Sequence, residues 1–297
     1  MKKLIGPALL AALFILPAGA QETGQRTFTT PDEASKALVD VVTRGDIPAL
    51  VGLVGSNAKA IITTGDVAED AANREAFLKA CQEKVQLISL GDSLTMLVIG
   101  KQNFPVPLPL VKKKQGWYFD GVLGLEEVRA RRIGKNELSV IRACEAYHGA
   151  QRAYAAMDPD GSGIAQYAER FLSSPGKHDG LYWEAAPGQS GSPLGPFMAE
   201  AGKTGADAGK AYHGYFYRIL TSQGPAAPGG AFNYVINGHM VAGYGLVAYP
   251  ASYGHSGIMT FLVGPGGAIY QQDLKGRTSE LGSTMKTFNP GSGWKKL

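Results

Sequence analysis

The sequence predicts an α+β protein of two lobes, in which N-terminal helices and a small antiparallel sheet precede a long helix packed on an antiparallel meander. Three observations carry this reading. Helix-like periodicity gives way to strand-like runs before residue 125. Apolar residues then recur every three or four positions from Leu138 to Met157. Beyond residue 210 come short β-prone runs separated by glycine-rich turns. Helices and strands grouped in blocks, rather than alternating, place the sheets in an α+β arrangement.

The chain opens with a leader. Lys2 and Lys3 precede an apolar run over residues 8–16, and Ala18-Gly19-Ala20 supplies a small-residue exit. This is the pattern of a secretory signal peptide at 1–20, cut after Ala20. The run is too short to span ~30 Å of hydrocarbon. The mature chain is therefore expected in the periplasm or outside the cell, with no transmembrane anchor.

Residues 21–29 form a polar segment, followed by a small α+β domain at 30–125. Thr30 can cap a helix, Pro31 suits its first position and Glu33 can return the capping bond. Ala34, Leu38, Val41 and Val42 then mark one face to about Thr43. A short helix after Asp46 and another over 67–83 precede strands at 94–99, 106–111 and 117–120. Pro105, Pro107 and Pro109 cannot donate to a ladder, which places that strand at an edge.

Residues 126–135 read as a connector into the second domain, 126–297. In its helix, residues 136–157, a single stripe holds Leu138, Ile141, Cys144, Tyr147, Ala150, Tyr154 and Met157. Residues 173–210 read as a long loop region rich in Gly, Pro and Ser. Strands follow at 212–220, 232–236, 245–249, 258–263 and 268–273. Gly264-Pro265-Gly266-Gly267 is a hairpin signal between the last two.

Composition narrows the function classes. The 297 residues hold 40 glycines and only 18% charged residues, which excludes a coiled coil or a long charged tail. A net charge of +4 is too slight for a nucleic-acid footprint. Cys81 and Cys144 are the two cysteines, and an oxidising compartment leaves open either a disulfide between them or two separate buried thiols.

Three segments carry a family likeness: Arg131-Arg132-Ile133-Gly134-Lys135-Asn136-Glu137-Leu138, Ser174-Pro175-Gly176-Lys177-His178-Asp179-Gly180-Leu181-Tyr182-Trp183, and Tyr253-Gly254-His255-Ser256-Gly257-Ile258-Met259-Thr260-Phe261. With them the chain resembles the bacterial secreted family catalogued as domain of unknown function 2950, over nearly all of the mature chain. That resemblance implies no activity. The second domain also resembles the globular heads of type II pseudopilins and pilins, through Ala150-Gln151-Arg152-Ala153-Tyr154 ahead of an antiparallel sheet. The long apolar assembly helix of pilins is missing, which argues against filament assembly.

The sharpest chemical motif runs from Asp158 to Glu169. Asp158, Asp160 and Ser162, the carbonyl of Ile164, and Glu169 fall at positions 1, 3, 5, 7 and 12 of an EF-hand register, with Gly163 at position 6. The bound ion would be a structural Ca2+. The plain alternative is an Asp/Gly turn that ends one helix and caps the next. A hydrolase would draw on His178, Asp179 and His213, with a carboxylate such as Glu169. Adjacent residues on an extended segment point apart, which disfavours a His178–Asp179 dyad. Tyr182, Trp183, Tyr212, Tyr215, Tyr217, Tyr244, Tyr249 and Tyr253 could stack on sugars, or could fill one sheet face with their hydroxyls in solvent. Arg131 and Arg132 could clamp an anion or pair with acidic side chains. No Walker sequence and no HExxH zinc motif occurs. The expectation is thus a non-enzymatic envelope protein whose partner is another envelope protein or a polysaccharide. The alternative is a cell-wall or polysaccharide-active hydrolase or a carbohydrate-binding protein.

Overall fold

A computed structural model describes residues 21–63, 67–158, 161, 163–185, 191–201 and 210–297. The leader at 1–20 lies outside the described residues, as do Asp160 and Ser162 of the acidic loop. The chain divides into two compact units, one ending at Arg131 and the other spanning Arg132–Leu297.

In the first unit, helix α1 (Pro31–Arg44) is capped as expected, with the Glu33 N–H donating to the Thr30 hydroxyl. The Glu33 carboxylate reaches one residue further back than a capping box would place it and accepts from the Thr29 N–H. Gly45 ends the helix at φ 65°, a left-handed position that glycine occupies without strain. Asp46 caps α2 (Ile47–Val54) by accepting from the Ala49 N–H at 2.9 Å. Helices α3 (Ala58–Ile62) and α4 (Val67–Glu83) follow.

The sheet comprises β1 (Val85–Ser89), β2 (Leu94–Ile99), β3 (Phe104–Pro105), β4 (Leu110–Lys113) and β5 (Gly116–Phe119), in the order β1-β2-β4-β5 with β3 also on β2. The proline segment is split: β3, which holds Pro105, bonds β2 alone and lies at an edge as expected, whereas β4 lies between β2 and β5. Pro105 pairs opposite Val98 in β3 and Leu110 opposite Thr95 in β4, both beside β2, and Pro107 and Pro109 fall in the gap between them. Missing N–H donors interrupt the strand between these two pieces. Strand β1 was not anticipated: its Val-Gln-Leu-Ile-Ser run follows directly on α4 with no turn signal.

Helix α5 (Gly121–Met157) is 37 residues long, so the expected connector at 126–135 is helical. Asp120 explains the early start, since its Oδ1 accepts from the Val122 and Leu123 N–H groups at 3.1 and 3.0 Å. The i,i+3 pair Glu126–Arg129 and the i,i+4 pair Glu127–Arg131 support the next turns. The expected stripe is correct in its middle, where Cys144, Tyr147, Ala150 and Tyr154 are buried. It is wrong at its ends: Leu138 is 60% exposed and Met157 39%. The buried face runs instead through Val140, Ala143 and the polar Gln151.

Beyond α5 come α6 (Pro196–Ala201), a helix inside the expected loop region, then β6 (Tyr215–Leu220), β7 (Ser222–Gln223), β8 (Phe232–Asn233), β9 (Val235–Ile236) and β10 (His239–Met240). Next are β11 (Gly245–Pro250), β12 (Met259–Val263), β13 (Ile269–Asp273), α7 (Thr278–Thr284), β14 (Thr287–Phe288) and β15 (Lys295–Lys296). The expected meander is present as the antiparallel sheet β15-β13-β12-β11-β6. Both units are therefore α+β.

The tyrosines depart from the expectation of wet hydroxyls. Tyr147, Tyr215, Tyr217, Tyr234 and Tyr244 are fully buried. The Tyr147 hydroxyl donates to the Gly245 carbonyl at 3.0 Å and accepts from Gln151 at 2.9 Å. The Gln151 amide also closes a two-way bond with Ala168, donating to its carbonyl and accepting from its N–H at 2.8 Å each. Tyr215 donates to Met259, Tyr217 to Tyr212 and Tyr234 to Gln223. Burial pushes these phenols upward in pKa, Tyr244 to about 12, so they remain hydroxyl donors at neutral pH.

Candidate functional site

A concave site of about 310 Å3 opens on one flank of α5. Ser139, Arg142, Ala143 and Ala146 are contributed by the helix, Leu194 and Gly195 by the segment entering α6, Met198 by α6 itself, and Tyr212 and His213 by the turn ahead of β6. Its floor is apolar, since Ala143, Leu194 and Met198 are buried, whereas Arg142 and His213 stand exposed at the rim.

The rim imidazole is held by a tight turn. His213 and Gly214 have φ of 51° and 72°, and Tyr212 and Tyr215 exchange N–H to carbonyl bonds at 3.0 and 3.1 Å. This is the geometry of a two-residue I′ corner. Gly214 is required, because a Cβ would lie 2.7 Å from Asn136 Nδ2 and 2.9 Å from Ser256 Cβ. A histidine with positive φ is uncommon and is tolerated here by the turn around it. Sequence reading missed this corner, although Tyr-His-Gly-Tyr ahead of an alternating aromatic run carries the signal.

The site is electropositive. The Arg142 guanidinium donates to the Ser139 hydroxyl at 2.9 Å, and that hydroxyl donates to the Lys135 carbonyl at 2.9 Å. Among the described residues no carboxylate forms an ion pair with Arg142 or Lys135. Partial burial, then Arg142 and Lys135, hold the His213 imidazole below its usual pKa and so favour its neutral form.

The candidate catalytic groups His178 and Asp179 each have other partners. The His178 ring stacks on Trp183 at 4.4 Å, and its carbonyl accepts from the Tyr154 hydroxyl. Asp179 accepts from the Ser174 N–H at 2.7 Å and the Ser174 hydroxyl at 2.9 Å, with Arg170 3.7 Å away. Burial works against its ionised form, but these bonds and Arg170 outweigh it and hold the carboxyl below its usual range. No hydrogen bond joins His178, Asp179, His213 and Glu169 among the described residues. Other imidazoles are also committed, His148 to Tyr244 at 2.9 Å and His239 to Gln166 at 2.8 Å.

The remaining candidates resolve as follows. Cys81 and Cys144 are free and not bridged, each taken up by a different core cluster. Burial raises both thiols, Cys144 to about 12 with help from Glu145, which leaves neither as a ready thiolate. Arg131 is spent on Glu127 at 2.7 Å, the Pro105 carbonyl at 2.8 Å and the Phe104 ring. Of the eight aromatics considered for sugar stacking, Tyr253 alone is exposed. In the acidic loop, Asp158 accepts from the Gly163 N–H at 2.9 Å, and Gly163 has φ 71°. Residues 163–170 contain no helix, so the expected second helix is absent there; Tyr167 instead donates to the Met240 carbonyl and Glu169 is exposed.

The three long segments noted in the sequence turn out to be joints. Asn136 donates to the Ser256 carbonyl at 2.8 Å, and Glu137 accepts from the Ile258 and Met259 N–H groups at 2.9 Å each. A Cβ on Gly257 would collide with the Tyr215 ring. The first segment is thereby fastened to the third, while the second is fastened to itself through Asp179 and Ser174. No helix among the described residues is long and apolar enough to cross a membrane. No curated protein and no solved structure matches the chain. A family model described as a protein of unknown function, DUF2950, matches residues 25–297, and with that coverage the chain belongs to the DUF2950 family.

Proposed function

We propose that this chain is a non-enzymatic protein of the bacterial envelope, periplasmic or secreted, that acts by binding. The observation that carries the reading is the use made of the candidate catalytic groups. Asp179 accepts from both the N–H and the hydroxyl of Ser174 and closes its own loop, while the His178 ring lies stacked on Trp183. A general base must bind the nucleophile it activates. Asp179 binds the Ser174 hydroxyl but is held below its usual pKa and is a weak base, and no hydroxyl or thiol is hydrogen-bonded to the His178 ring among the described residues. Its partner on this reading is another envelope protein, because a polysaccharide would need an exposed aromatic platform. The likeness to pilin heads rests on a helix lying against an antiparallel meander and supplies no activity.

Fractionation with intact-mass measurement tests the address, and incubation of the purified chain with cell-wall sacculi tests the chemistry. The expected result is a chain beginning at Gln21 outside the inner membrane that releases no soluble wall fragment. Retention in the cytoplasm with residues 1–20 attached, or steady fragment release, contradicts the reading.

A second reading concerns stability. Gly163, sixth in the register, has a left-handed backbone and donates to Asp158, as a sharply turning calcium loop requires. On this reading Ca2+ held by Asp158, Asp160, Ser162, the Ile164 carbonyl and Glu169 braces the exit of α5. Millimolar calcium is expected to raise the thermal midpoint and a chelator to reverse it. An unchanged midpoint removes the ion from the account.

A further inference from the structure

We infer that the cavity on the flank of α5 binds a compact organic monocarboxylate, its carboxylate on Arg142 and its apolar body on the floor formed by Ala143, Leu194 and Met198. The inference rests on the binding reading above, and the two fail separately: product release would sink that reading, whereas this one falls on the titrations below.

Arg142 has unspent hydrogen-bonding capacity. A guanidinium presents five N–H donors in a planar fork suited to a carboxylate. Arg142 uses its Nη2 on the neutral hydroxyl of Ser139 and has no acidic partner among the described residues. Arg131 and Arg170, by contrast, each have a carboxylate beside them, at 2.7 and 3.7 Å. Ser139 is itself fixed by the Lys135 carbonyl one turn earlier, so the hydroxyl and the guanidinium are presented together from one helix face.

Polar groups from two elements converge on the cavity. His213 reaches the same cavity from a different element, held by a corner in which both central residues have positive φ. Glycine or asparagine adopts that backbone at less strain, whereas histidine adds a ring nitrogen at the rim. Partial burial, followed by the positive charges of Arg142 and Lys135, favours the neutral form of the imidazole. In that form one ring nitrogen donates, giving a second contact for an oxyanion without a second full charge.

Size and lining select the ligand class. A volume of about 310 Å3 lies at the small end of ligand sites and does not accommodate a sugar chain. An apolar floor beneath a single guanidinium suits an apolar body bearing one negative charge. A bare phosphate would leave that floor unused, and a neutral ligand would leave the guanidinium unused.

The test is calorimetric titration of the mature chain with benzoate and hexanoate, against benzamide and inorganic phosphate. The inference expects saturable single-site binding of at least one carboxylate, with benzamide and phosphate each weaker by about tenfold or more. Arg142→Gln is expected to weaken carboxylate binding about tenfold or more, and His213→Asn, which the left-handed corner tolerates, by less. Ala146→Leu, which narrows the cavity without altering charge, should also weaken it. If Arg142→Gln fails to fold by circular dichroism, Ala146→Leu and the benzamide comparison decide. Binding of neither carboxylate up to about 10 mM, equal binding of benzamide, or equal binding of phosphate overturns the inference.

Discussion

The first unit gathers Leu38, Leu53, Leu97 and Phe119 into an apolar cluster, whereas the second gathers Tyr147, Tyr215, Tyr217, Tyr234 and Tyr244 with Gln151 at its centre. Packing of the first kind is specified by volume and tolerates exchange among hydrophobes of similar size. The second kind is specified by direction, because every buried hydroxyl and amide needs a partner. The difference explains why one side chain, Gln151, can satisfy both backbone groups of Ala168 as well as the Tyr147 hydroxyl, a task no aliphatic residue could perform.

This contrast can be broken by substitution. Phe119→Ala should cost about 4 kcal/mol in the first unit through lost transfer energy and a cavity, read by denaturant unfolding. In the second unit Gln151→Leu, close in volume, should cost about 3 kcal/mol by orphaning the N–H and carbonyl of Ala168. If Gln151→Leu proves neutral, the directional description of that core is wrong. Tyr217→Phe removes one hydroxyl and leaves one carbonyl, and should cost about 1 kcal/mol.

Acid should act on the second unit first, since His148 and His213, the histidines with a lowered pKa, both lie beyond Arg132. His148 is held below its usual 6.5 by burial and Arg152, and His213 by burial, Arg142 and Lys135. Depressed in the folded state, both groups resist protonation there and accept it readily when unfolded. Their contribution is therefore present above pH 6.5 and is lost as the pH falls through the lower folded values. Thermal midpoints should fall between neutrality and pH 5, and the double variant His148→Gln/His213→Asn should flatten that dependence. The smallest effect is expected at Leu138, 60% exposed, where Leu138→Ser should stay within about 0.5 kcal/mol.

What the sequence made legible follows the same division. Thr30, Pro31 and the Ala34, Leu38, Val41 spacing located α1 because caps and periodicity are local properties. The 258–273 hairpin was readable from its glycine-rich turn for the same reason. Glu126 to Lys135 were misread as a connector because the start of α5 depends on Asp120, whose capping role appears only once β5 has delivered it there. Gln151 was missed because a polar residue on an amphipathic helix reads as solvent-facing, and its partner Ala168 is 17 positions away. The candidate site was legible only in its residue types. His213 was singled out for catalysis, yet Arg142 and Ser139 share a cavity with it through chain separations no local pattern encodes.

The central claim is that side chains in the long sequence motifs are joints while Arg142 is free to meet a ligand. Two-dimensional NMR of the arginine Nε–Hε resonances during a benzoate titration tests it most directly. The Arg142 resonance is expected to shift and saturate while that of Arg170, held beside Asp179, stays in place. A saturating shift at Arg170 with Arg142 unmoved would contradict it.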